Sequence, residues 1–251
     1  MNPVRSILRG PVLALAVLAV GVGACSADPD VSESATVVPA PGPSSMTSAT
    51  APQIITVDPA LDGELYAAAV ANDTARVRDL IARGADLESR GAHARTPLVA
   101  ATKNGSTAAA VALIDAGADV NAKDDIQDSA YLYAGAEGLD EILAATLSHG
   151  ADLRSVNRFG GTALIPASEH AHVSTVRMLI AARVDVNHVN TPRWTALQEA
   201  IVYGDGSRRY QETVAALLAA GADPQIRDAD GRTALQNAQR RGQDAIVELL
   251  N

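Results

Sequence analysis

The stretch TPLVAATKNGSTAAAVALIDAGADVNAKD, residues 96–124, decides the fold. It reads as a short helix capped by Thr96, a break at Gly105, a second apolar helix closed at Gly117, and a polar turn. Its parts recur along the chain. Gly117-Ala118-Asp119 has counterparts at Gly84-Ala85-Asp86, Gly150-Ala151-Asp152 and Gly221-Ala222-Asp223, and a degenerate one at Arg183-Val184-Asp185. Thr96-Pro97 has counterparts at Ser129-Ala130, Thr162-Ala163, Thr195-Ala196 and Thr233-Ala234. Both markers advance in steps of 33, 33, 33 and 38 residues. Two independent markers that share one period and one five-residue insertion define an internal repeat.

Each unit is expected to be a helix pair. Thr or Ser caps the first helix, and Pro or Ala suits its first turn. A turn at Gly105, Gly138 or Gly204 leads to a second helix. The apolar stripe of that helix recurs as Val77, Ala110, Leu143, Val176, Val214 and Val247. Three residues on lie Leu80, Leu113, Thr146, Leu179, Leu217 and Leu250, the spacing of one buried helical face.

These residues carry a family resemblance. Thr96 to Ala101 (TPLVAA) is similar to the TPLHxA core of the ankyrin repeat, and Ala116 to Asp124 (AGADVNAKD) resembles its characteristic ending. The resemblance covers about residues 61–251 and implies an all-α ankyrin-repeat solenoid of about six helix-turn-helix repeats with projecting loops and a concave face. Gly63 to Ala68 and Thr233 to Ala238 look like end caps. Polar Gln239, Arg240, Arg241, Asp244 and Glu248 suit an end exposed to water. Solenoids of 34-residue or longer period fit the loop sequences poorly.

Three departures stand out. Ala94, Gln127 and Arg193 replace the glycine present as Gly160 and Gly231, which predicts less regular loop tips. Arg183 stands where a helix-ending glycine is expected, at a cost of about 1 kcal/mol if it turns left-handed. The insertion, about Asp205 to Arg209, is expected to lengthen a loop inside the fifth repeat.

Ahead of the repeats the sequence changes character. Arg5 and Arg9 precede an apolar run, Pro11 to Val22, too short for a lasting bilayer span. Val22-Gly23-Ala24-Cys25 resembles the bacterial lipobox. By that resemblance residues 1–24 are a cleaved signal peptide and Cys25 carries a diacylglycerol anchor at the extracytoplasmic face of a membrane, periplasmic or cell-surface. An ordinary cleaved signal with a nearby cysteine is the alternative. Residues 25–59 are rich in Ser, Thr, Ala and Pro and read as a disordered linker. It would hold the domain at 60–251 on the order of 30 Å from the membrane.

Composition narrows the function classes. The chain has 251 residues, 20 basic and 29 acidic, for a net charge of −9. That balance disfavours nucleic acid and polybasic membrane contact. Without Arg5 and Arg9 the mature charge is −11, which favours a protein partner with a basic face. The single cysteine allows no internal disulfide. Monomeric behaviour is expected.

No serine sits in a nucleophile elbow, and no nucleotide fingerprint or metal-ligand spacing is present, so neither catalysis nor a cofactor is expected. His170 and His172 would face apart on a helix. Asp228-Ala229-Asp230-Gly231 lacks the later ligands of a calcium loop and reads as a loop tip, as do Asp124, Asp125 and Asp128. Glu169 with His170 is the one faint acid–base candidate.

Ankyrin proteins bind through loop tips and inner helices, so the resemblance implies where a partner would sit. The tip columns hold His93, Asp125, Arg158, Phe159, Arg193, Trp194 and Asp230. The inner-helix columns hold Tyr133, Glu137, Glu169, His170, Glu199 and Tyr203. Four of the seven aromatics fall on these columns in repeats three to five, and Trp, Tyr and Arg dominate interface energetics. The alternative for Phe159 and Trp194 is packing against neighbouring loops. Tyr131 occupies the buried leucine column and reads as core. A protein-binding lipoprotein is the leading expectation. A stress-protective envelope protein without a fixed partner, or an enzyme with a site in the groove, are the alternatives.

Overall fold

A computed structural model describes residues 59–251. The expected signal segment, Cys25 and nearly all of the linker lie outside those residues.

Among the described residues, twelve α-helices follow one another in six pairs: α1 (Pro59–Val70) with α2 (Thr74–Ala82), α3 (Pro97–Lys103) with α4 (Thr107–Asp115), and α5 (Ala130–Glu137) with α6 (Asp140–Ser148). Then come α7 (Leu164–Glu169) with α8 (Val173–Ala181), α9 (Ala196–Val202) with α10 (Arg208–Ala219), and α11 (Ala234–Arg240) with α12 (Asp244–Leu249). Odd-numbered helices pack on odd-numbered ones and even on even, which gives two helical layers with a shared core between them. The fold is the expected all-α solenoid. Among the described residues there is no strand, and no helix is long and apolar enough to cross a membrane.

The predicted stripe is the core. Val77, Ala110, Leu143, Val176 and Val214 are fully buried, as are Leu80, Leu113, Thr146, Leu179 and Leu217. Thr146 fits this apolar column because its hydroxyl donates to the Leu143 carbonyl at 2.8 Å. Val247 and Leu250, in the last pair, are only half-buried, and Gln239, Arg240, Arg241, Asp244 and Glu248 are exposed. The end cap is therefore polar, as expected.

Neighbouring repeats are tied by their loops. Asp86, Asp119, Asp152, Asp185 and Asp223 each accept the N–H two residues on, which holds five identical turns. Asn121 Oδ1 then accepts the Asp152 N–H of the next repeat, and its Nδ2 donates to the Gly150 carbonyl. Asn187 does the same with Asp223 and Gly221. These asparagines clamp repeat to repeat with both ends of one amide.

The structure corrects three expectations. First, the tips at Gln127 and Arg193 are regular: their φ angles, 68° and 69°, match Gly160 at 70° and Gly231 at 76°. The tip is fixed instead by a side chain four residues before its end. Asn157 and Asp228 each accept two loop N–H groups on one Oδ1, as Asp124 does. Only the tip at 91–95 differs, with both His93 and Ala94 left-handed. There the stapling position is Gly91, where any Cβ would lie 2.5 Å from the Tyr66 ring.

Second, the insertion is only partly loop. α10 has 12 residues against 9 in α4, α6 and α8, so three of the five added residues extend the helix. They bring in Tyr210, which is buried and donates its hydroxyl to the Glu169 carbonyl at 3.0 Å.

Third, Thr162 does not cap. Thr96, Ser129, Thr195 and Thr233 accept N–H groups at the third residue on, whereas α7 has no such cap. Pro166 has no N–H to give the Thr162 carbonyl, so that carbonyl takes the Ile165 N–H instead. The Thr162 hydroxyl is left buried without a partner. Arg183 does turn left-handed, with φ 68°.

Candidate functional site

The site is assembled from α5, α7 and α9 and from the loop tips that precede α7 and α9. The cap at Thr195 sets the direction of α9 by accepting the Gln198 N–H. Leu164 and Leu197 bury the opposite side of α7 and α9 in the core. Glu169 and Tyr203 are thereby left at the helix ends.

Asn190 organises the centre. Its Oδ1 accepts the Trp194 N–H at 2.8 Å, and its Nδ2 donates to Glu199 Oε1 at 2.8 Å. Glu199 is 6% exposed. Burial pushes its carboxyl up to about 7, Glu169 adds to the rise, and the Asn190 hydrogen bond opposes it. One turn further along α9, the Tyr203 ring meets the Trp194 ring edge to face, centroids 5.2 Å apart. Tyr203 nevertheless stays 52% exposed. Burial raises its hydroxyl pKa, and Glu199 and Glu169 raise it further. Glu169, Trp194, Glu199 and Tyr203 are therefore one cluster.

The remaining expected residues form its flank. Phe159 is 47% exposed, and its only ring partner among the described residues is the Arg158 guanidinium, 4.7 Å from the centroid. Arg158 also stands 3.8 Å from Asp128. Tyr133 carries the Lys103 ammonium 5.0 Å from its ring centroid. Burial raises the Tyr133 pKa, helped by Glu137 and opposed by Lys103. Glu137 and Arg193 are exposed. Tyr131 is fully buried, as expected of core.

His170 does not face away from His172. Glu169 ends α7 and Ala171 is left-handed at φ 52°, so the two imidazoles lie across a turn and meet edge to face at 5.5 Å. His170 Nδ1 donates to the Ala136 carbonyl at 3.0 Å. Burial lowers the His172 pKa, and His170 lowers it further. Among the described residues no group of three or more His, Cys, Asp or Glu side chains could hold a metal.

Two residues that hold the site's surroundings in place escaped the sequence reading. Lys103, at the end of α3, lies 2.7 Å from Asp124 and 2.8 Å from Asp128, with Arg95 3.5 Å from Asp124. Burial pushes the Asp124 carboxyl up, but Lys103 and the N–H groups of Asp128 and Ile126 outweigh it and hold it low. Asn190 is the other. Its signal was present, since Asp124, Asn157, Asn190 and Asp228 follow the repeat spacing.

Comparison with known proteins agrees with the fold. Models of the ankyrin repeat match residues 93–125, and residues 130–228 as three copies. The chain is 45% identical over 96 residues to the ankyrin repeat protein YahD of Escherichia coli, a match that spans 38% of this chain and 48% of that protein. Of solved structures, an ankyrin repeat domain from Acinetobacter baumannii is 54% identical, covers 74% of this chain and 95% of its own, and superposes with a TM-score of 0.72. The ankyrin repeat protein EF0377 is 41% identical, covers 75% and 96%, and gives 0.73.

Proposed function

The chain belongs to the ankyrin-repeat family, and from that premise we propose that it is a protein-binding module, without catalysis, tethered by lipid at Cys25 to the outer side of a bacterial membrane. Ankyrin repeats are protein-interaction modules. In this chain the partner sits on the face of repeats three to five, across Tyr133, Glu137, Arg158, Phe159, Glu169, His170, Arg193, Trp194, Glu199 and Tyr203. The observation that carries the reading is the exposure of Phe159 and Tyr203, 47% and 52%, in a domain whose other aromatics are mostly covered. Large rings left in water on a rigid scaffold are interface anchors. The acidic balance of the chain supports a partner with a basic surface.

The test is crosslinking in intact cells. The wild-type chain is expected to give one dominant adduct, and Phe159→Ala with Tyr203→Ala to lose it without a change in thermal stability. An unchanged adduct would place the interface elsewhere. Cys25→Ser is expected to abolish lipid labelling and release the protein from the membrane fraction. Retention of both would refute the anchor.

A further inference from the structure

Three carboxylates stand on the first helices of consecutive repeats: Glu137 and Glu169 at the ends of α5 and α7, and Glu199 within α9. None takes part in an ion pair among the described residues. The cations that lie over the flanking Tyr133 and Phe159 rings are otherwise engaged. Lys103 is held by Asp124 and Asp128, and Arg158 lies against Phe159 and Asp128.

Glu199 is the telling member. Only 6% of it is exposed, yet Asn190 is its one hydrogen-bond donor and reaches Oε1 alone. No donor meets Oε2 among the described residues. That oxygen is not sealed from solvent, so a donor from outside can reach it. The second observation is independent of charge. The Trp194 and Tyr203 rings form an edge-to-face pair beside it, with Tyr203 half in water. Aromatic faces carry negative quadrupole charge and attract organic cations.

An aromatic pair beside carboxylates that lack a cation is complemented by a cation from outside. A metal fits less well, since a hard cation takes six or more oxygen ligands and rings supply none. We propose that Glu169, Glu199, Trp194 and Tyr203 receive one cationic side chain, lysine or arginine, from an extended segment of the protein partner. The proposal rests on the groove reading above and adds the chemistry of what enters it.

Trp194 is the only tryptophan of the chain, so its emission reports this site directly. The purified full-length chain is titrated at pH 8 and low salt, where Glu199 is ionised, with blocked pentapeptides, Gly-Ser-Arg-Ser-Gly and its lysine and glutamine counterparts. A saturable change in emission is expected with arginine or lysine and none with glutamine. The stronger of the two basic peptides identifies the head group. Glu199→Gln and Glu169→Gln are each expected to weaken binding by about tenfold, the loss of one close charge pair. Glu199→Gln keeps the acceptor for Asn190, and Glu169 is partly exposed, so both variants should fold. No response to either basic peptide, an equal response to glutamine, or unchanged affinity in both variants would overturn the proposal. If the two glutamine variants bind as wild type while Phe159→Ala with Tyr203→Ala still loses the cellular adduct, the cation site falls and the groove stands. If that adduct also persists, the groove itself falls.

Discussion

Asn190 joins a loop tip to a buried acid: one side-chain amide accepts the Trp194 N–H and donates to Glu199, both at 2.8 Å. The same residue therefore sets the loop that carries an aromatic and the carboxylate beneath it. Asn190→Ala removes both bonds and leaves the Glu199 carboxylate with no donor. A loss of about 2 kcal/mol is expected in urea unfolding, together with a red shift of Trp194 emission as the tip loosens. Asn190→Asp keeps the loop acceptor but opposes two carboxylates, and should be the less stable of the two at pH 8.

Glu199 predicts an unusual pH dependence. Its folded-state value of about 7 lies above the ordinary 4.5, so the folded chain holds the proton more tightly than the unfolded one. The resulting stability is complete below about pH 4.5 and is lost as pH rises through about 7. Glu199→Gln should therefore stabilise the protein at pH 8 by an amount on the order of 3 kcal/mol, and by little at pH 5. Thermal melts at both pH values check this.

Lys103 and Asp124 predict the opposite sign. Asp124 is held low, so its contribution is present above its ordinary value near 4 and is lost as pH falls through the folded value. Lys103→Met leaves a fully buried Asp124 side chain facing Asp128 without its main cation. A loss of about 3 kcal/mol at pH 7 is expected. Adding Asp124→Asn to Lys103→Met should recover part of it, and a double-mutant cycle measures the coupling.

Arg183 predicts a gain. Its φ of 68° is strained for any side chain with a Cβ. Arg183→Gly should raise stability by about 0.5–1 kcal/mol in chemical unfolding, with no effect on peptide titration at Trp194.

The repeat columns were legible because each follows from one helix face or one turn. The stripe through Val77 and Leu80, the left-handed turns and the polar cap needed only spacing. What sequence missed lies in contacts across the period. Lys103 meets Asp128, 25 residues on, because α3 packs beside the next loop. Glu199 is buried at a column that holds Ala100, Tyr133, Pro166 and Asn237 elsewhere, so no neighbour signalled a sunken carboxylate. The cap at Thr162 was lost to Pro166, four residues away, and the meeting of His170 with His172 depends on the left-handed Ala171. The ten expected site residues divide accordingly: Glu169, Trp194, Glu199 and Tyr203 cluster, Arg158 and Phe159 pair, Tyr133 is tied to Lys103, His170 meets the Ala136 carbonyl, and Glu137 and Arg193 stand exposed.

The central claim is that one face of repeats three to five holds a protein partner. A photo-crosslinking residue placed at Tyr203, and separately at Glu141 on the exposed side of α6, tests it in intact cells. Light-dependent capture of one discrete partner from position 203, and none from 141, is the predicted result. Capture from 141 alone, or equally from both faces, would contradict it.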